Sequence, residues 1–263
     1  MRRQLMAAAA VLLCALCACR GDSDSNVQAP GGVKSATTRA LESGADALQS
    51  KPPIAAINAY LDGFHFYNGR INDQMEAHHY CSVLNEELMQ CVIYDGNRKD
   101  AKLMGVEYII SERLFKQLPE AEKALWHSHV FEVKSGQLVA PRIPIIAEHR
   151  LMEKLIHTYG KTWHTWHTDK HKELPLGIPQ LMMGFTAEGQ IDPALVQARN
   201  QRLGIDGAAR QRDRANIPAP PVAPGADAWR EGNTIQLKDP TGAESAPPHG
   251  TQTTPATQPP RMQ

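Results

Sequence analysis

The stretch WHSHVFEV, residues 126–133, has the residue types and the spacing that could bind a metal ion. If it is a strand, His127 and His129 point to the same face, together with two apolar side chains, because side chains alternate along a strand. Two imidazoles at alternate positions are close enough to share one ion. The same alternation places Glu132 on the opposite face. His127 and His129 are therefore the first candidate metal ligands.

Histidines are concentrated in the middle of the chain. There are 11, and all but His249 lie between residues 65 and 171. The next candidate ligands are His79, which alternates with Cys81, and His164. Imidazole suits Zn, Cu, Fe or Ni, so the candidate cofactor is a divalent transition metal. Histidines on strands also hydrogen bond to buried backbone or carboxylate groups, and the sequence leaves both interpretations open.

No catalytic residue can be assigned from motifs. The sequence contains no GxSxG elbow, P-loop, GxGxxG or HExxH. Carboxylates that could act as acids or bases are ordinarily exposed; those considered are Glu76, Glu107, Glu112 and Glu132. The chain has 28 basic and 28 acidic side chains, which gives no electrostatic reason to expect a nucleic-acid partner.

The candidate ligands need strands to position them, and the clearest signal is a hairpin. EAHHYCSVL and LMQCVIYDG have strand-like alternation around a polar NEE tip. A hairpin centred on Glu86 places Cys81 opposite Cys91, since each lies five residues from it. Either a disulfide or two buried free thiols fits this arrangement. AKLMGVEYII and TWHTWHTD are further strand candidates.

Helical signals flank these strands. Pro52 and Pro53 predict a helix that continues to Phe64, because apolar residues recur there at helical spacing. Ser111 predicts the start of another helix, and Pro119 the start of the next. A third apolar pattern runs from 151 to 159 and is expected to stop at Gly160. Short helices are also expected over 39–48 and 191–203.

The apolar stretch LPLGIPQLMMGF, residues 174–185, is interrupted by prolines. It predicts irregular chain or an edge strand. Its methionines suit contact with an acyl chain, while apolar runs more often pack in the core of their own domain.

The start of the chain predicts a lipoprotein leader. A basic MRRQ precedes a short apolar segment, and Leu16-Cys17-Ala18-Cys19 resembles a bacterial lipobox. Residues 1–18 are then the signal peptide, Cys19 is the lipidation site, and residues 19–52 are a flexible linker. Arg20 follows the anchor where inner-membrane retention would favour aspartate. We therefore expect a lipid-anchored protein of the cell envelope, on the outer membrane and facing the periplasm.

The composition predicts one folded domain between two flexible ends. Residues 53–203 form a single compact α+β domain with antiparallel strands, hairpins and flanking helices. Residues 204–263 are rich in Pro, Ala and Gly and predict a disordered tail. Within that tail, residues 229–239 predict a short local strand.

The middle of the chain resembles the oil-body-associated protein family. The resemblance is carried, in order, by FHFYNGR, EAHHYCSVLNEELMQCVIYD, GVEYIISERLFKQLP, ALWHSHVFEVKSGQLVAP, YGKTWHTWHTD and LPLGIPQLMMGF. Plant members of this family are associated with lipid droplets, and the family name implies no catalytic mechanism.

Two functions remain in competition. The first is a non-enzymatic envelope lipoprotein whose partners are the membrane, through its anchor, and lipid or other envelope proteins. The second is a periplasmic metal-binding protein or metal-dependent enzyme built on His127 and His129. A metalloenzyme needs its ligands to converge in an open pocket with a free coordination position, which the structure can test.

Overall fold

Six antiparallel strands close into a barrel in the computed structural model, which describes residues 22–238. The strands β1 to β7 are Ala59–Tyr67, Arg70–Asn85, Leu88–Tyr94, Leu103–Ser111, His127–Ser128, Thr158–His164 and Gln180–Met183. Neighbours follow the order β4-β3-β2-β1-β7-β6, and β6 pairs again with β4, which closes the ring. The short β5 pairs with the first half of β6. The predicted leader, Cys19 and residues 239–263 lie outside the described residues.

Eight α-helices accompany the strands in the described part of the chain. They are α1 Ala36–Leu48, α2 Pro52–Ala55, α3 Glu112–Lys116, α4 Glu120–Lys123, α5 Val130–Ser135, α6 Ile145–Leu155, α7 Pro193–Leu203 and α8 Gly207–Asp213. The predicted α+β class is thus confirmed at this coarse level. Local sequence patterns do not specify the closure of the sheet, because β1–β7 and β4–β6 join segments far apart in the chain. No helix among residues 22–238 is long and apolar enough to span a membrane.

The β2–β3 hairpin has the register predicted around Glu86. Cys81 pairs with Cys91, their Cα atoms are 4.0 Å apart, and a disulfide joins them. Both lie in the main core cluster with Leu61 and Ile109. In the chain-entropy model a loop of this length contributes roughly 3 kcal/mol to stability, because it restricts the unfolded chain.

The helix predicted over residues 52–64 is wrong beyond its first turn. Only Pro52–Ala55 is helical, and β1 follows it. Pairing with β2 along its length and with β7 at its end overrides the helical spacing of apolar residues. As a result Phe64 and Phe66 pack in one cluster on the outer side of the barrel, whereas His65 faces the interior.

Ser111 begins α3 as predicted, since its hydroxyl accepts a 3.3 Å hydrogen bond from the backbone of Leu114. The helix expected to continue to Tyr159 instead ends at Leu155, and Gly160 belongs to β6. α6 still buries its apolar face, because Met152 and Leu155 lie in the main core cluster.

The strand predicted over residues 126–133 is wrong after Ser128. The backbone N–H of Val133 bonds to the carbonyl of His129 at 3.0 Å, so hydrogen bonds within α5 replace the sheet ladder. α5 ends at Gly136, whose φ of 75° is the left-handed conformation that glycine adopts without strain.

Residues 174–179 are irregular chain, as one of the two predictions has it, but the strand that follows at Gln180–Met183 is not an edge strand. β7 lies between β1 and β6. Leu181, Met182, Met183 and Phe185 are buried in the protein's own core, so these methionines do not face an external acyl chain.

The tail predicted to be disordered from residue 204 is folded as far as residue 238. Arg214 is buried and donates hydrogen bonds to the carbonyls of Val133 and Leu138, at 3.0 and 2.7 Å. Its Nη2 also lies 3.2 Å from Oε1 of Glu148. A buried guanidinium fastens this segment where composition alone predicts flexibility.

Parts of both segments that were predicted to be flexible are therefore packed against the domain within the described residues. Ala228–Glu231 is a 3₁₀ helix, so the local strand expected over residues 229–239 is wrong within the described residues. In the predicted linker, Ser23 and Val27 are buried against the domain.

The folded tail can be tested by truncation. We expect a chain that ends at residue 203 to be less stable than one that ends at residue 238 by at least about 3 kcal/mol, the usual cost of removing one partner of a buried ion pair. Urea unfolding followed by circular dichroism measures the difference. Equal stability of the two chains would contradict the packing of residues 204–238.

Candidate metal centre

The carboxylate of Glu107 lies at the centre of a buried histidine cluster. Its Oε2 is 2.9 Å from Nε2 of His79, and its Oε1 is 3.4 Å from Nε2 of both His127 and His129. All four side chains are buried. Three imidazole nitrogens and one carboxylate thus converge inside the barrel, and three of these residues are predicted ligands.

Different elements supply the four groups. His79 comes from β2, Glu107 from β4, and His127 from β5, while His129 is the N-cap of α5. His127 and His129 therefore converge because the chain turns into a helix, and not because they alternate on a strand. Their ring centroids are 5.1 Å apart.

A glycine makes room for the centre. Gly160 lies opposite His127 in the β5–β6 ladder. A Cβ atom at this position would overlap Oε1 of Glu107 and would approach Nε2 of His127 to 2.8 Å. The glycine predicted as a helix stop is instead the site of closest approach between backbone and cluster.

Hydrogen bonds outside the cluster orient two of the imidazoles. The hydroxyl of Thr158 donates to the carbonyl of Leu155 at 2.7 Å, so it accepts the 2.7 Å hydrogen bond from Nδ1 of His129. Nδ1 of His79 donates to the carbonyl of Ala77 at 3.1 Å. Both rings therefore carry a proton on Nδ1 and direct Nε2 toward Glu107.

The α5 helix brings Glu132 back to the histidines. Its Oε2 lies 4.0 Å from Nε2 of His127 and has no hydrogen-bond partner among the described residues. The expectation that Glu132 leaves the histidine face is wrong, because helical geometry replaces strand alternation. Burial raises the pKa of this carboxyl.

His65 and His164 are two further buried histidines that lie beside this cluster. Nδ1 of His65 lies 3.3 Å from Nε2 of His164, and the His65 ring is 4.9 Å from that of His79. Burial, together with the neighbouring histidines, holds the pKa of His65 well below its usual range and lowers that of His164 to about 3. The predicted ligand His164 thus contacts His65 and not Glu107.

Sequence reasoning missed His65, Glu107 and Glu132 as members of the centre. His65 was hidden by the wrong helix assignment, although FHFY alternates as a strand would. The two glutamates were expected to be exposed, but they are buried. For Glu107, its place on an apolar strand was the available signal.

The pKa of Glu107 is lowered and the pKa of the adjacent His127 is raised. Burial opposes ionisation, but the adjacent imidazoles of His127, His129 and His79 outweigh it and hold the pKa of Glu107 well below its usual range. Burial also opposes charge on His127, yet the adjacent Glu107 raises the pKa of that ring. The arrangement therefore favours an ionised carboxylate that needs positive charge beside it.

The centre is enclosed. It borders a cavity of about 10 Å³, which is room for one water-sized sphere. The lining residues are Leu61, Gly63, His65, His79, Glu107, Ile109, His127, His129, Glu132 and Leu138. The enclosure resembles that of a structural metal site more than that of a catalytic one, which keeps an open coordination position.

A second group of possible ligands, Asp62, Glu76 and His78, lies outside the barrel interior. Arg199 in α7 donates a 2.6 Å hydrogen bond to Oδ1 of Asp62, and Arg202 forms an ion pair with Glu76. The two guanidiniums already neutralise the two carboxylates. This group therefore fastens α7 to the sheet and offers a cation no free negative charge.

The sequence compares with known proteins over most of its length. The family model described as "Protein of unknown function (DUF1264)" matches residues 51–218. The chain is 41% identical to Oil body-associated protein 1A of Zea mays over 219 residues, which cover 82% of this chain and 92% of the relative. It is 38% identical to Oil body-associated protein 1B of Arabidopsis thaliana over 224 residues, which cover 84% and 93%. No solved structure matches the chain.

The close approach at Gly160 gives a steric prediction. We expect Gly160→Ala to destabilise the protein by about 1–3 kcal/mol, since the methyl group must displace Glu107 or His127 from a packed interior. Gly63→Ala is the matched control in the same cavity wall, because its Cβ would lie 3.4 Å from Leu138 Cδ1, an ordinary contact. Denaturant unfolding of both variants measures the effect. Equal stabilities would show that the backbone of β6 does not approach the cluster so closely.

Proposed function

We propose that this chain, which belongs to the family described as "Protein of unknown function (DUF1264)" and is similar to oil body-associated proteins, holds one divalent transition-metal ion in its barrel. The matches confirm the resemblance predicted from the sequence. The proposed ligands are Nε2 of His79, His127 and His129 and the carboxylate of Glu107. Two overlapping triads of this cluster already have ligand atoms within 4.8 Å of one another, and they are His65–Glu107–His127 and His127–His129–Glu132.

The facing lone pairs carry this proposal. His79 and His129 have their Nδ1 protons committed to carbonyl and hydroxyl acceptors, so in the neutral form of each ring Nε2 would face Glu107 with a lone pair. A lone pair facing a carboxylate oxygen inside a protein is repulsive unless a proton or a cation lies between them. One cation among the three imidazoles and Glu107 relieves every such contact at once.

Protonation of the histidines would stabilise the buried carboxylates less well than a divalent ion would. Protonation of His79, His127 and His129 would place three positive charges beside Glu107 and Glu132 in a buried site, and burial of charge is costly unless it is paired. A divalent ion with neutral imidazoles balances the two carboxylates. Hydrogen bonds from the outer ring nitrogen to a carbonyl or hydroxyl are also the usual support of metal-binding histidines.

The ligand types indicate the class of ion. Imidazole with carboxylate suits Zn²⁺ and its divalent first-row neighbours. The enclosed cavity favours an ion that is held in place over one that meets a substrate. We therefore propose a non-catalytic role for the ion in stabilising the closed barrel.

We further propose that the protein works in the cell envelope, attached to the outer membrane through lipid on Cys19. The basic and apolar start of the chain and its lipobox-like sequence support this location. The Cys81–Cys91 disulfide suits an oxidising compartment such as the periplasm. The names of the plant relatives connect those proteins with oil bodies; for this chain we propose lipid association through the anchor.

Metal content tests the proposal. The full mature chain, purified without a His tag, is analysed for metal before and after incubation with Zn, Ni, Cu and Fe salts and removal of unbound ions. We expect about one ion per chain, and little or none in Glu107→Gln or in His127→Ala/His129→Ala. The loaded wild type should also unfold at a higher temperature, since the ion binds the folded state.

A matched control uses a histidine outside the barrel. His149 in α6 contacts Asp213 at 2.9 Å, so His149→Asn removes a histidine–carboxylate pair and leaves the centre intact. This variant should keep its ion. A wild-type protein that stays metal-free after every incubation would overturn the proposal, whether or not the variants fold.

A further inference from the structure

One surface turn exposes a continuous run of apolar residues. Residues 142–147, RIPIIA, are all exposed, and Ile146 is 77% exposed. Ile143 and Ile145 flank Pro144 and are each 37% exposed. Consecutive exposed apolar side chains are avoided in soluble proteins unless they have a function. We refer to residues 142–147 as the isoleucine turn.

The backbone holds the isoleucine turn in place. Arg142 has a φ of 68°, a left-handed conformation that is unfavourable for a residue with a side chain. The following helix α6 is anchored by Glu148, which accepts a 2.8 Å hydrogen bond from the backbone of Ala140. The apolar side chains are thus presented by a constrained turn and a fixed helix start.

The beginning of the described chain lies beside this turn. Asp22 forms a 3.1 Å ion pair with Arg142. The next residue, Ser23, is fastened from two sides, because its N–H donates to Asn97 and its hydroxyl accepts from Arg202, each at 2.7 Å. The chain therefore enters the domain next to the isoleucine turn.

The attachment continues past Ser23. Asp95 accepts hydrogen bonds from the hydroxyl of Ser25 and the N–H of Asn26, at 2.8 and 2.9 Å. A Cβ on Gly96 would lie 2.6 Å from the carbonyl of Ser23, so the strand connection approaches this segment closely. These contacts hold the chain against the domain surface from residue 22 to residue 26.

The covalent chain then fixes where a lipid anchor would be. Cys19 precedes Asp22 by three residues. An extended chain spans about 3.3–3.6 Å per residue, so the anchored cysteine lies within about 11 Å of Asp22. A membrane that holds lipid on Cys19 must therefore pass close to Arg142.

We propose that the isoleucine turn docks on the membrane that carries the Cys19 anchor, so that the barrel lies directly on the lipid surface in one orientation. The inference depends on the lipid anchor proposed above. The occupant of the turn is the lipid surface, because the anchor's reach brings that surface to it.

Site-directed spin labelling tests the docking. Cys81 and Cys91 are joined in a disulfide, and the proposed lipid on Cys19 would occupy the third thiol, so Ile146→Cys provides one reactive thiol in the lipidated mature chain. The lipidated full-length protein is reconstituted in vesicles of phosphatidylethanolamine and phosphatidylglycerol and labelled with a nitroxide. Collision rates with oxygen, which concentrates in lipid, and with a water-soluble nickel chelate report the depth of the label.

Leu176→Cys is the matched control, because Leu176 is an exposed leucine outside the isoleucine turn, 54% exposed. We expect the label at residue 146 to show at least a severalfold higher ratio of oxygen to nickel collisions than the label at residue 176. Equal, water-like ratios at both positions in a lipidated protein would overturn the docking and leave the anchor intact. A mature protein whose mass lacks acyl groups would overturn the anchor and the docking together.

Discussion

The fold is organised around one buried negative charge. An ionised carboxylate inside a protein is unfavourable by several kcal/mol unless charge and hydrogen bonds compensate it. Glu107 meets this requirement with three imidazole nitrogens from β2, β5 and the start of α5. These elements are far apart in the chain, so the compensation exists only when the sheet has closed. The barrel and the cluster therefore depend on each other.

Buried arginines hold the helices and the C-terminal segment against the barrel, because a buried charge needs partners there too. Arg214 bonds to the carbonyls of Val133 and Leu138, which flank the end of α5, and pairs with Glu148 in α6. Arg199 fastens α7 to Asp62 on β1. Each buried guanidinium needs its partners, so residues 204–238 become part of the domain. The segment after Asp22 is fastened to the domain by ordinary hydrogen bonds from Ser23 and Ser25 to Asn97 and Asp95.

The sequence predicts correctly those elements that depend on interactions between residues close together in the chain. The β2–β3 hairpin, the start of α3 at Ser111 and the α7 helix follow from alternation, capping and periodicity, and they occur where expected. His79, His127 and His129 were found by residue type. The other elements depend on pairing between strands that are far apart in the chain. β1 has apolar residues at helical spacing and becomes a strand because β2 and β7 flank it.

The candidate ligands likewise divide into those that local patterns indicate and those that only the folded structure brings together. Strand alternation places Glu132 away from the histidines, while the turn into α5 after His129 brings it back, and periodicity cannot detect a change of element within eight residues. Composition predicts disorder after residue 204 because it does not register that a single buried arginine can hold a Pro-rich segment. Glu107 is expected at the surface from its residue type, and its burial depends on the three histidines that surround it from other elements.

X-ray absorption at the metal K edge of the zinc-loaded protein, compared with His127→Ala/His129→Ala, tests the proposed metal centre directly. We expect nitrogen and oxygen neighbours at about 2.0–2.2 Å with outer-shell scattering from about three imidazoles. In the variant, that imidazole signal should be lost together with the ion. A bound ion surrounded by oxygen alone, or an unchanged imidazole signal in the variant, would contradict a metal centre built on Glu107 and its histidines.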